Sequence, residues 1–545
     1  MSRKVPDSAA VMESRAPRRG AREPGTDVGT GFARTCERHG DRLALRDGEV
    51  RLSFAEWNRL SRRAAHGLLA CGVVRGDTVA YQLPNWWEAA VFFLAAARIG
   101  AVVNPVLPIF RERELAFILR QSRAKVLVVP AVFRERDHRD LVEGLRADLP
   151  DLRDVFVARG KAPPSMQAFE ELLDARQDPT DPTDPTDRSD SPIDPGALLL
   201  LMYTSGTTAE PKGVLHTHGT LVAEIESLER IHSLRPEDVT LMPSPLTHIS
   251  GVIHAILTPA LLGTSAVLMD RWEPARALEL IERERVTYMV GAPTFLGDLA
   301  DHPALDARDV SSLRLFSCGG ADVSADLIRH ARTRLGCVAK RVYGSTEFPT
   351  ITTTDADDAD AMGAETEGRP IAPAEVRIVD ANGRTLPAGD EGEVQARGPE
   401  CFVGYADPRL DDDAFTDDGW FRTGDLGRLD ASGYLRITGR LKDIVIRKGE
   451  KFSVRELEEL IARHPAVAEV AVIAVPDAET GERACAVVKL RDEERMTLAG
   501  LTTFLTGVGL AKQKLPERLE ILDDLPHTES GKIHRAELKR QLLRK

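Results

Sequence analysis

The stretch Ala197 to Tyr203 (ALLLLMY) carries no charge and no turn residue, and it runs straight into Thr204-Ser205-Gly206-Thr207-Thr208-Ala209-Glu210-Pro211-Lys212-Gly213. A short, unbroken apolar run reads as a central strand of a parallel sheet, covered on both faces. The polar segment after it must then be a loop at a strand end. Hydroxyls and backbone N–H groups gathered at a tight glycine turn form a concave anion site, and Lys212 adds a positive charge suited to a polyphosphate. A Ser/Thr/Gly run alone reads as a solvated turn. The strand before it and Pro-Lys-Gly after it favour the anion site. It is not a Walker A loop, because the order and the Gly-to-Lys spacing differ.

Around this feature strands and helices alternate. Leu43–Arg46, Thr78–Leu83 and Lys125–Val129 read as strands. Ser53 opens a helix with Glu56 three residues on, a capping-box spacing. Asn85 precedes a helix from Trp86 to Arg98 that ends at Gly100, and another runs from about Glu112 to Gln121. The pattern implies an α/β fold, a sheet with helical cover. At 545 residues the chain exceeds one ordinary core. Three regions are expected: a disordered tail over 1–26, a large N-terminal domain of layered sheets and helices over 27–438, and a small mobile α+β domain over 439–545. The small domain reads as strand Asp443–Ile446, helix Val454–Arg463, strands Val467–Val475 and Ala484–Leu490, and a helix from Leu498. Asp178 to Asp187 (DPTDPTDPTD) reads as an exposed linker, since its prolines lack donors and its carboxylates repel.

The net charge of −13 argues against nucleic-acid binding. Cys36, Cys71, Cys318, Cys337, Cys401 and Cys485 are scattered without a CxxC pair, which points to reduced thiols and a cytoplasmic protein. The first 25 residues lack an apolar core for a secretory signal, and Asp7, Glu13 and Glu23 argue against a transit peptide. The most apolar segment, Ala89 to Ala97, is too short to span a bilayer.

Four further motifs come after the loop in order: Tyr343-Gly344-Ser345-Thr346-Glu347, preceded by Gly319-Gly320-Ala321; Trp420-Phe421-Arg422-Thr423-Gly424-Asp425; Gly439-Arg440-Leu441-Lys442-Asp443; and Pro526-His527-Thr528-Glu529-Ser530-Gly531-Lys532. Together with the loop they resemble the adenylate-forming superfamily of acyl-CoA synthetases, adenylation domains and firefly luciferase, over roughly residues 30–540. Loosely, the chain is similar to its cyclohexanecarboxylate-type and medium-chain acyl-CoA ligase branch.

The resemblance implies ATP, Mg²⁺ and coenzyme A as co-substrates and cofactor. Thr204, Ser205, Gly206, Thr207, Thr208 and Lys212 would hold phosphates. Gly320 and Ala321 would line the adenine and acyl pockets, Tyr343 and Gly344 would flank adenine, and Thr346 would touch the α-phosphate. Glu347, with Thr204, would hold Mg²⁺. Asp425 would take the ribose hydroxyls, Arg440 the nucleotide, and Lys442 the hinge. Lys532 would reach the α-phosphate and the reacting carboxylate. Ala209 and Lys448 stand where the family has glycine. His248 resembles the gate beside the acyl pocket, with a structural histidine as the alternative. Ile253 to Leu261 reads as core helix before pocket lining.

The implied reaction is attack of a carboxylate on ATP to give acyl-AMP, then transfer to a thiol as the small domain turns. Pro243 to Gly251 holds no Asp to meet an ammonium, so the acid is expected to be aliphatic, alicyclic or aromatic, without an α-amine. Three alternatives share these motifs: a ligase loading the phosphopantetheine of an acyl carrier protein, a luciferase-like light emitter, and a nucleotide-binding protein without catalysis.

Overall fold

The computed structural model describes residues 25–174, 192–204, 211–355, 358–441, 444–447, 450–477, 481–508, 510, 514–527 and 533–544. The expected tail over 1–26, apart from Gly25 and Thr26, and the expected linker over 178–187 lie outside these residues.

Two large sheets face one another across a helical layer. One has nine strands, and its centre is parallel: Leu43–Asp47, Ser265–Leu268, Val239–Met242, Tyr288–Gly291, Leu315–Gly319 and Val338–Tyr343 are successive parallel neighbours. The other has eight strands and is mixed. Leu198–Thr204 pairs in parallel with Val102–Pro105 but antiparallel with Lys212–Thr217. The apolar run is therefore a central strand with only one parallel neighbour. Burial on both faces sets hydrophobicity, and it does not reveal the partner's direction.

The helical layer is built from Val28–His39, Phe54–Ala70, Trp87–Ile99 and His218–His232. Ser53 accepts from the Glu56 N–H, and the Glu56 carboxylate accepts from the Ser53 N–H, completing the capping box. Trp87–Ile99 is apolar nearly all round because it lies inside the molecule. Gly100, at φ +71°, ends it in the left-handed conformation.

The sequence pattern does not reveal a four-stranded antiparallel sheet, Glu375–Val379, Gly392–Arg397, Phe421–Leu429 and Leu435–Arg440. Its last strand runs across the boundary expected near Thr438–Gly439.

Beyond it lies a small lobe. The hairpin Ile444–Arg447/Glu450–Ser453 leads into helix Val454–Ala462, and strands Val467–Asp477, Gly481–Leu490 and Arg518–Ile521 complete a sheet. Val445, Leu457, Ile461, Val472, Val488 and Leu501 form one of its cores. Among the described residues no helix is long and apolar enough to cross a membrane.

Candidate active site

The parallel strands of the nine-stranded sheet end at Met242, Gly291, Gly319 and Tyr343. In open α/β sheets the carboxyl ends of parallel strands are where ligands sit. The segments carrying His248, Gly320–Ala321 and Gly344–Glu347 all leave from these ends, and Thr204 ends the central strand of the other sheet.

Six side chains meet here in two sets of three. The Tyr343 hydroxyl donates to Asp425 Oδ2 at 2.7 Å. Arg440 Nε lies 3.0 Å from Asp425 Oδ1, and Asp425 pairs with Arg440 across adjacent strands. The Tyr405 hydroxyl donates to Glu347 Oε1 at 2.9 Å. The Lys212 ammonium stands 5.1 Å from the centre of the same Tyr405 ring, a cation–π distance. Burial, and then the Asp425 carboxylate, push the Tyr343 phenol far above its ordinary range, so it stays a donor.

Backbone shape is fixed as tightly. A Cβ on Gly344 would come within 1.9 Å of the Pro349 carbonyl oxygen, so no side chain fits. Gly320 lies at φ +78°. The Ser345 N–H donates to the Phe348 carbonyl at 2.9 Å, folding the motif back on itself. Thr346 is buried, and its carbonyl accepts from His216 Nε2 at 2.8 Å. A carbonyl only accepts, so Nε2 carries the proton. Burial lowers His216 to about 4, leaving it neutral. This bond ties strand Lys212–Thr217 to the Tyr343–Glu347 motif. Thr204 Oγ1 reaches the Lys212 carbonyl at 3.5 Å. His248 caps the helical turn Ile249–Gly251, its Nδ1 accepting from the Ser250 N–H at 3.4 Å.

The small lobe meets this site through ions. Arg455, in the first turn of helix Val454–Ala462, places Nη2 at 2.6 Å from Asp322 and 3.5 Å from Glu367, and its Nε at 3.0 Å from Glu459. Asp322 directly follows Gly320–Ala321. Glu367 also pairs with Arg341 at 3.1 Å and accepts from the Ile437 N–H at 2.9 Å. Three carboxylates hold the Arg455 pKa above its ordinary value despite burial.

Ser205, Gly206, Thr207, Thr208, Ala209, Lys442, Lys448 and Lys532 lie outside the described residues. The flank of Lys532 is described: His527 Nε2 stands 2.7 Å from Glu469, and Arg535 pairs with Glu458 at 2.7 Å. Sequence reading missed His216, Asp322, Glu367, Tyr405 and Arg455. None sits in a local motif, and each acts on a residue at least 58 positions away.

Glu347 and Thr204 offer hard oxygen donors, which suit Mg²⁺. Among the described residues no group of three or more His, Cys, Asp or Glu could hold a metal by itself. A single carboxylate beside a phosphate loop fits an ion whose other ligands are phosphate oxygens and water.

Residues 32–406 match the AMP-binding enzyme family and residues 456–532 match the AMP-binding enzyme C-terminal domain. The chain belongs to the AMP-binding enzyme family. A medium-chain fatty-acid–CoA ligase of Escherichia coli (strain K12) is 36% identical over 509 residues, covering 93% of this chain and 88% of that protein. A 2-hydroxy-7-methoxy-5-methyl-1-naphthoate–CoA ligase of Streptomyces carzinostaticus is 35% identical over 522 residues, covering 94% of this chain and 93% of the other. Among solved structures, ATP-bound MatB from Rhodopseudomonas palustris superposes with a TM-score of 0.83 at 29% identity, covering 95% of this chain and 99% of that one.

Proposed function

We propose that this chain is an AMP-forming acid–CoA ligase for a carboxylic acid without an α-amine, aliphatic, alicyclic or aromatic. The observation that carries the reading is that Tyr343 and Arg440 are held by Asp425, and Glu347 and Lys212 by Tyr405, in a chain that belongs, nearly end to end, to the AMP-binding enzyme family.

In the first half-reaction the substrate carboxylate attacks the α-phosphorus of ATP and pyrophosphate leaves. Such chemistry is mostly positioning and charge neutralisation. Tyr343 and Gly344 frame the adenine, Asp425 accepts from the ribose hydroxyls, and Lys212 faces the departing phosphates. Glu347, with Thr204, would hold Mg²⁺, which would supply positive charge to the phosphate oxygens. Lys532 is delivered by the small lobe to the α-phosphate. In the second half-reaction the CoA thiol attacks the acyl-AMP carbonyl and AMP leaves. The small lobe turns between the two, about Lys442.

In the arrangement described, Arg455 of the small lobe faces Asp322, the residue after Gly320–Ala321. That face belongs to thiol transfer in this reading. The reaction's location is read as the cytoplasm.

Exchange of labelled pyrophosphate into ATP over a panel of acids, followed by product analysis with CoA, tests the proposal. Acid-dependent exchange and an acyl-CoA product are expected. Exchange that ends at acyl-AMP despite CoA would favour a carrier-protein acceptor. Lys532→Ala is expected to lower adenylate formation by about 10²–10³ while largely keeping thioester formation from supplied acyl-AMP. Equal loss of both halves would rule out two alternating lobe positions.

A further inference from the structure

Past His248 the chain forms a short α-turn, Ile249–Gly251, then a π-helix, Val252–Leu257, then helix Thr258–Leu262. π-turns are rare and concentrate at functional sites. The side chains of this π-helix are buried, and all are apolar except His254. Its Nδ1 lies 3.3 Å from the Tyr288 hydroxyl, and its ring meets Tyr288 edge-on at 5.6 Å.

A second imidazole approaches the same phenol. His232, at the end of helix His218–His232, lies 5.6 Å from the Tyr288 ring. Its Nε2 is 3.4 Å from Ser317 Oγ, and its buried Nδ1 has no hydrogen-bond partner among the described residues. Two histidines, a tyrosine and a serine thus meet inside the buried layer, with Lys340 and Arg314 acting on His232 and with Glu224, Arg314 and Asp238 acting on Tyr288, and none of the four serves the nucleotide.

Their position relates them to the acyl side of the site. Ser317 precedes Gly319 by two residues on one strand, about 7 Å at the strand rise. Tyr288 is two residues deeper on the neighbouring strand, where it pairs with Leu315. His254 lies six residues past His248, roughly 7–9 Å along a helix. Both routes lead from the strand ends to the same contact between His254 and Tyr288.

The chemistry is specific. Burial lowers His254 to about 3 and holds His232 far below its ordinary value, so both imidazoles are neutral. Burial pushes the Tyr288 phenol up, so it keeps its proton. Neutral imidazole and phenol each offer donor and acceptor capacity without charge. A buried polar atom without a partner costs about 1–3 kcal/mol, and a ligand group can supply that partner.

We propose that His254, Tyr288 and His232 form a polar floor of the acyl pocket that selects acids bearing a hydroxyl at the end remote from the carboxylate. This rests on the acid–CoA ligase reading and names its substrate class. The three are specificity-determining residues and take no part in the bond-making steps.

Pyrophosphate exchange by the purified full chain with matched acids tests it: 4-hydroxybenzoate against benzoate, and 8-hydroxyoctanoate against octanoate. The hydroxylated partner of at least one pair is expected to have about tenfold or greater kcat/KM, since sites built to bond a hydroxyl reject analogues without it. Tyr288→Phe and His254→Leu should bring that ratio towards one, with the change falling on KM of the hydroxylated acid. His254→Gln, which keeps a donor and an acceptor, should retain part of the preference. Thermal melting of each variant separates lost folding from lost selection. Equal use of both members of both pairs by the wild type, or a ratio unmoved in folded variants, would overturn the floor. Exchange with no acid of a broad panel would break the ligase reading itself, and the floor with it.

Discussion

On the large lobe, Tyr343 ends a strand, Glu347 follows it and Asp425 lies within another, and they are held by short hydrogen bonds to Asp425, Tyr405 and Tyr343. The small lobe reaches the same region through charge, with Arg455 set between Asp322 and Glu367. The contrast separates two tasks. Neutral and charge-assisted hydrogen bonds among packed groups demand one geometry and hold it. Ion pairs tolerate several geometries, weaken with salt, and release without stranding a neutral donor in the core. A fixed half and an exchangeable half are what a two-step reaction on one adenylate requires.

The comparison breaks most readily at Asp425. Asp425→Ala removes the acceptor shared by Tyr343 and Arg440, and kcat/KM for ATP is expected to fall about 10²–10³. A loss under tenfold in exchange assays would mean the large lobe is not the preformed half. Arg455→Ala addresses the other side. Roughly tenfold slower thioester formation from supplied acyl-AMP is expected, equivalent to about 1.4 kcal/mol, with adenylation affected less. Both halves slowing alike would show that Arg455 only stabilises the fold.

The smallest effect lies inside the fixed half. Burial, with Glu400 nearby, raises the Glu224 carboxyl to about 8. The folded state therefore binds a proton there that the unfolded chain releases near pH 4.5. Stability from this group is complete below about 4.5 and declines as pH rises through about 8. Glu224→Gln should flatten that alkaline decline in melting temperature. An unchanged slope would show that the carboxyl is ionised in the fold.

Much of this architecture is legible in the sequence where the cause is local. Ser53 and Glu56 announce their helix because the capping box closes within four residues, and Gly100 announces an end because only the left-handed turn needs it. The motif residues are legible as types, since phosphate loops need hydroxyls, glycine and a cation in a short span. The sheet from Glu375 to Arg440 is not. Its strands, such as EVRIV and GEVQAR, mix charge with apolar residues, and only their antiparallel neighbours make them strands. The π-helix is equally hidden, because a segment apolar but for His254 has no periodicity to reveal its pitch. Tyr405 and Arg455 act across 58 and 133 positions, distances at which only the fold supplies proximity.

Asp425 is engaged twice over, by a phenol and a guanidinium, before any nucleotide arrives. If it receives the sugar as proposed, each carboxylate oxygen has acceptor capacity left beside its present donor, and the newcomer must supply two donors. Neighbouring 2′ and 3′ oxygens do this, whereas a 2′-deoxy sugar supplies only one and leaves half that capacity unserved. Preference for the RNA-type over the DNA-type precursor then comes from the remaining capacity of one side chain, with no residue assigned to exclusion.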